Sequence, residues 1–101
     1  MNTYVIRRRN AWKNAAELSA AAAVSKRVGN EQMPDRVRWI RSYVLTEDDG
    51  TLGTSCIYQA VDEEAIREHA RRVGMPADEI TQVADTVIVR DDPKAAEAAA
   101  A

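Results

Sequence analysis

The chain has no phenylalanine, and its 101 residues include only one cysteine, one histidine, three prolines and four glycines. A single cysteine excludes an internal disulfide, and fits a reducing cytoplasm. With one histidine there is no His-x-x-x-His pair. Cys-x-x-Cys and Glu-x-x-His are also missing, so no metal site of ordinary spacing is written in the sequence. No apolar stretch approaches the roughly 20 residues that span a bilayer. The N-terminus goes straight into a strand-like run without an apolar leader, so we expect no signal peptide and a cytoplasmic protein. Fourteen Lys and Arg against 16 Asp and Glu leave a net charge of −2, which gives no overall basic field for nucleic acid. The local clusters Arg7-Arg8-Arg9, Arg36/Arg38/Arg41 and Arg71-Arg72 read as solvated faces and ion pairs. Gly50-Thr51-Leu52-Gly53 lacks the Gly-Lys-Ser/Thr ending of a phosphate loop.

What is present organises around a ribbon. Val37 to Thr46 and Thr54 to Val61 read as strands joined by Glu47-Asp48-Asp49-Gly50, since Asp-Gly between alternating runs signals a hairpin. With Asp49-Gly50 as a two-residue turn, one face carries Trp39, Arg41, Tyr43, Cys56 and Tyr58. The other then carries Ile40, Val44, Ser55, Ile57 and Val61, and a slip of one residue in one strand would exchange that strand's faces. Thr3 to Arg8 is a first strand, with Tyr4, Ile6 and Arg8 on one side. Asn10 to Asn14 is a polar connection holding Trp12. Asn14 caps a helix from about Ala15 to Val28, with Leu18, Ala21, Ala22, Ser25 and Val28 inward and Gly29, or failing that Asn30, as C-cap. Asp62 caps a second helix, with an inward stripe of Ala65 or Ile66, His69 or Ala70, and Val73. Glu63–Arg67 and Glu68–Arg72 pairs support it, and it ends at Gly74 and Pro76. Ile80 to Arg90, ending in Val87-Ile88-Val89, is the last strand.

This order predicts an α+β fold: ferredoxin-like βαββαβ, a four-stranded antiparallel sheet with two helices on one face. Residues 1–90 form one domain and 91–101 an Ala-rich tail. Large apolar side chains are few, so a homodimer that buries a second sheet face is expected, associated in the manner of a dimeric α+β barrel.

The runs Val37-Arg38-Trp39-Ile40-Arg41-Ser42-Tyr43-Val44, Cys56-Ile57-Tyr58 and Asp62 to Pro76 with its central His69, followed by Ile80, resemble a family of small bacterial proteins known as domain of unknown function 4242. The resemblance covers about Thr3 to Val89. It implies the ferredoxin-like fold, usually a dimer, and for at least one member nickel binding. It implies His69 as the matching histidine. At the position of Arg41 the family often has His, and arginine, which keeps its proton, is no metal ligand.

The candidate site is the ring-bearing face: Trp39, Arg41, Tyr43, Cys56 and Tyr58, taken to lie opposite the helices. Aromatics there line a pocket or a subunit interface, with Arg41 holding a small anionic or carbonyl-containing ligand. His69 is weighed as a ligand for nickel or another divalent transition metal against a partly buried side chain with one hydrogen bond. Cys56 is weighed as a nucleophile beside Arg41 against a small buried hydrophobe. The functional expectation is a cytoplasmic homodimeric ligand- or metal-binding protein. The alternatives are a small enzyme using His69, Tyr43 or Tyr58 for acid–base work, and a pure assembly protein. No nucleic-acid or membrane partner is expected.

Overall fold

Tyr4, Ile6 and Arg8 alternate with Thr3, Val5 and Arg7, and the first strand forms as that pattern requires. In the computed structural model, which describes residues 1–93, β1 spans Asn2–Trp12. It is followed by α1 (Ala15–Arg27), a π-helical turn (Val28–Gln32), β2 (Val37–Thr46), β3 (Leu52–Ala60), α2 (Glu63–Val73) and β4 (Glu79–Gln82). The strands lie in the order β2-β3-β1-β4, every neighbour antiparallel. This is the expected ferredoxin-like α+β arrangement. The core joins Tyr4, Ile6, Cys56, Tyr58 and Ala60 of the sheet to Val28 after α1 and to Ala65 and Ile66 of α2. No helix among the described residues is long and apolar enough to cross a membrane. Residues 94–101 of the Ala-rich tail lie outside the described residues.

The helix ends follow the sequence signals, with one exception. Asn14 accepts from the Glu17 amide, Asp62 accepts from the Ala65 amide, and Gly74 closes α2 at φ 85°. Left-handed backbone of this kind carries little cost only for glycine. Gly29 is not a cap. The chain passes through it in a π-helical turn to Gln32, and Gly29 is buried. The inward stripes are as expected, with Ala65, Ile66, His69 and Ala70 all buried, and Glu63–Arg67 and Glu68–Arg72 pair on the exposed side of α2.

The ribbon register corrects the face assignment. The Glu47 amide donates to the Thr51 carbonyl and the Gly50 amide to the Glu47 carbonyl, with Gly50 at φ 86°. The loop therefore holds three residues, Asp48 to Gly50, with glycine in the left-handed position. Tyr43 consequently pairs with Ser55 and Arg41 with Ile57, whereas Ser42 pairs with Cys56. Ile40 is then an extra residue in β2, and this bulge brings Trp39 back opposite Tyr58. Trp39, Cys56 and Tyr58 face the helices, and Arg41 and Tyr43 face away. The five residues do not share a face.

Two further expectations change. Trp12 is part of β1 rather than of a connection: between the Arg8↔Thr54 and Trp12↔Leu52 pairs three residues of β1 oppose one of β3, at an irregularity containing Asn10 at φ 50°, and Trp12 is buried. The last strand is short. β4 pairs with β1 from Arg7↔Glu79 to Tyr4↔Gln82, a register in which Asn2, where β1 begins, would face Ala84. Past that point no strand is available to pair with. Val87, Ile88 and Val89 are accordingly 88%, 70% and 84% exposed.

Gly53 sits where strands and side chains crowd. A Cβ there would stand 2.6 Å from the Arg8 carbonyl oxygen and 2.8 Å from Arg7 Nη1, and would run into the Glu47 carboxylate. A backbone oxygen has little room to yield. Gly53→Ala is expected to lower the unfolding free energy by about 2 kcal/mol or more. Gly50→Asn, with nothing within 4 Å and a side chain that tolerates left-handed backbone, is expected to change it by no more than about 0.5 kcal/mol. Urea titration of both variants checks the contrast.

Candidate functional site

Strand alternation carries Arg8 to the same face as Tyr4 and Ile6, under the helices. Across the sheet this face forms three rows: Arg8–Thr54–Val44, Ile6–Cys56–Ser42 and Tyr4–Tyr58–Trp39. The α1 stripe above them is mostly small: Leu18, Ala21, Ala22 and Ser25. The alanines leave space above the sheet, and a cavity of about 270 Å³ remains. Trp12 and Met75 join its walls. Trp39 stacks on Tyr58 with ring centroids 6.2 Å apart and planes 9° off parallel, and the Trp39 indole N–H donates to Ser42 Oγ at 2.8 Å.

The floor holds an uncommon group. Arg8 is 2% exposed. Its Nε donates to the Pro76 carbonyl at 2.7 Å and its Nη1 to Cys56 Sγ at 3.3 Å. Nη2 is buried with no hydrogen-bond partner, and so is Thr54 Oγ1 in the same row. Among the described residues no carboxylate pairs with Arg8, whereas its neighbour Arg7, on the opposite face, meets Glu47 at 2.7 Å. A buried charge ordinarily has a counter-charge, because removing an ion from water costs several kcal/mol.

Polar groups continue the site beneath α1. Tyr58 Oη and Ser25 Oγ share a hydrogen bond of 3.0 Å. Burial pushes the Tyr58 phenol up to about 12, against smaller opposing effects of Ser25 and Arg8. His69 Nε2 lies 3.0 Å from the Ser25 carbonyl, which can only accept, so this nitrogen carries the proton. His69 Nδ1 is buried with no partner. Burial lowers the imidazole pKa, the Ser25 bond opposes this, and the Arg8 charge adds to the lowering. A neighbouring groove of about 280 Å³ runs past His69, Gly29 and Asn30 and shares Ser25, Trp39 and Tyr58 with the cavity.

Of the residues expected to form the site, Trp39, Cys56 and Tyr58 line this cavity. Arg41 borders the neighbouring groove, but its Nη1 pairs with Asp92 at 3.1 Å, and the Tyr43 hydroxyl donates to the same carboxylate at 2.8 Å. That Tyr43 bond first, and Arg41 second, hold the Asp92 carboxyl below its ordinary pKa. The cavity that these three line lies between α1 and the sheet, whereas Arg41 and Tyr43 stand on the face opposite the helices. The acid–base set divides as well, with Tyr43 on one side of the sheet and His69 and Tyr58 on the other. Arg8, Thr54, Trp12 and Ser25 were not expected in the site. The signal for Arg8 was an arginine in phase with two core residues.

The donors for nickel do not assemble. Among the described residues no three of His, Cys, Asp and Glu stand close enough to hold a metal ion. His69 is bonded through Nε2 and buried, and Cys56 Sγ faces a guanidinium. The described residues of one chain bring together no donor set that fits the ion.

A family model described as nickel responsive protein SCO4226-like matches residues 4–83. The crystal structure of SCO4226 from Streptomyces coelicolor A3(2) is similar in fold, with a TM-score of 0.67 at 19% identity over 84% of this chain and 99% of that one. No curated protein matches the chain.

Both buried titratable groups make stability depend on pH. The folded Tyr58 pKa of about 12 lies above the ordinary 10.0, so only the unfolded chain ionises as pH passes 10. About 2–3 kcal/mol of stability should be lost between pH 10 and 12, and Tyr58→Phe should lack this loss. His69 is depressed below 6.5. Its contribution is complete above that pH and lost as pH falls, because only the unfolded chain takes up the proton there. Denaturant midpoints measured against pH, with His69→Gln flattening the acid limb, check both signs.

Proposed function

The chain belongs to the SCO4226-like family of nickel-responsive proteins, and with that as premise we propose that it is a small-ligand-binding protein whose site is the cavity between α1 and the sheet. The observation that supports this most is a cavity walled by Trp12, Trp39 and Leu18 and lined also by Arg8 and Thr54, two buried residues that each carry an unpartnered polar atom. Apolar walls with a few convergent polar groups are how small-molecule sites are built. The volume is near the lower end for such sites, so the ligand is small. Binding, rather than turnover, is favoured because His69 Nε2 is engaged and the Tyr58 phenol is held far above neutral pH.

The same reading keeps the protein a cytoplasmic homodimer associated through the open sheet face. Half-buried Val5 and Ile57 on that face and the exposed Val87-Ile88-Val89 run support association. Sedimentation should then give twice the 11.2 kDa chain mass. Nickel, carried by the family's description alone, is not assigned to His69. Calorimetric titration with nickel is expected to give the same result for the parent and His69→Gln, and a saturable site lost in His69→Gln would contradict the assignment.

Both tryptophans of the chain line the cavity, so intrinsic fluorescence reports on its occupant. A screen of small organic fragments should yield compounds that quench the parent saturably and leave Ala22→Phe, whose ring fills the cavity, unchanged. Quenching that survives in Ala22→Phe would place the site elsewhere.

A further inference from the structure

We propose that the cavity takes a small carboxylate with a flat apolar body, the carboxylate meeting Arg8 Nη2 and Thr54 Oγ1. This deepens the ligand-binding reading and rests on it. Arg8 and Thr54 are cross-strand partners, and each contributes one buried polar atom without a partner. A carboxylate has two oxygens in one plane, and a guanidinium donor beside a hydroxyl donor matches them.

Charge decides between anion classes. Arg8 is the one cation lining this cavity, and no described carboxylate neutralises it. One negative charge balances one guanidinium. A phosphate dianion would leave a second charge buried, with no further cation and no cluster of backbone amides to receive it. A metal cation is disfavoured by the guanidinium itself. A neutral carbonyl would be bonded but would leave the Arg8 charge uncompensated.

The body of the ligand follows from the walls. The Trp39–Tyr58 stack offers a planar surface, and Trp12, Leu18 and Val44 are apolar. A ring packed on this stack gains offset stacking beyond its burial. Arg8 Nε and Nη1 are already fixed by Pro76 and Cys56. The guanidinium is therefore held in place before any ligand arrives, which limits the ordering cost of binding.

Titration with benzoate, benzamide and inorganic phosphate, followed by tryptophan fluorescence and calorimetry, tests the assignment. Benzoate should bind the parent about tenfold or more tightly than benzamide, as a charge-assisted bond requires. Arg8→Met should erase that preference, and Thr54→Val should weaken benzoate several-fold while sparing benzamide. If Arg8→Met fails to fold, Arg8→Lys, which keeps the charge without the planar fork, should still lose part of the preference. Equal binding of benzoate and benzamide would overturn the anion while leaving the ligand cavity standing. Phosphate binding above benzoate would overturn the carboxylate class. If no fragment of any kind occupies the cavity, the underlying ligand-binding reading falls with it.

Discussion

A guanidinium held out of water, with no carboxylate beside it among the described residues, is the constraint around which the candidate site is arranged. Arg8 is fixed by elements that otherwise have little in common. Gly74 turns the chain left-handed at the end of α2, and the return segment then places the Pro76 carbonyl on Nε. Cys56, one row away on β3, occupies Nη1. Two of the three nitrogens are thus satisfied by a carbonyl and a thiol, neither of which brings a full negative charge as a carboxylate would. The third is buried without a partner, in a residue that lines the space the alanines of α1 do not fill.

The two faces of the sheet divide the charged residues by role. On the open face Arg7, Arg41 and Tyr43 are paired with Glu47 or Asp92 within hydrogen-bond distance. The Asp92 contacts are exposed, and exposed pairs contribute little to stability; the Arg7–Glu47 pair is mostly buried, with side chains 19% and 13% exposed. On the helix face Arg8 is buried, and no carboxylate among the described residues compensates it. Beside it His69 and Tyr58 are held neutral by burial, and Ser25 bridges them through its carbonyl and its hydroxyl. Membership of a nickel-responsive family does not by itself supply ligands. In this chain the lone histidine is tied to Ser25 beneath α1.

Much of the fold was legible because each element carried its own end signals. Asn14, Asp62 and Gly74 mark helix ends through side-chain oxygens and a left-handed glycine, chemistry that is local to a few residues. The ribbon was harder to read. Asp-Gly announced the turn but not its length, and a three-residue loop moved Tyr43 and Arg41 to the open face. The bulge at Ile40 had no composition cue, since one extra residue in a β-branched and aromatic run looks like continuation. Val87-Ile88-Val89 had strand composition, yet the register of β4 on β1 runs out before reaching it. The site was written in the plainest signal of all, the alternation Tyr4, Ile6, Arg8. Reading it required treating an arginine as a core residue, which the usual preference for exposed charge argues against.

The measurement that bears most directly on this account is the unfolding free energy of Arg8→Met in the absence of any ligand. If the guanidinium is a buried charge awaiting an anion, the variant should be within about 1 kcal/mol of the parent or more stable, as when buried charges give way to apolar groups of similar size. A loss of about 3 kcal/mol or more would show Arg8 to be a structural tie and would contradict the account.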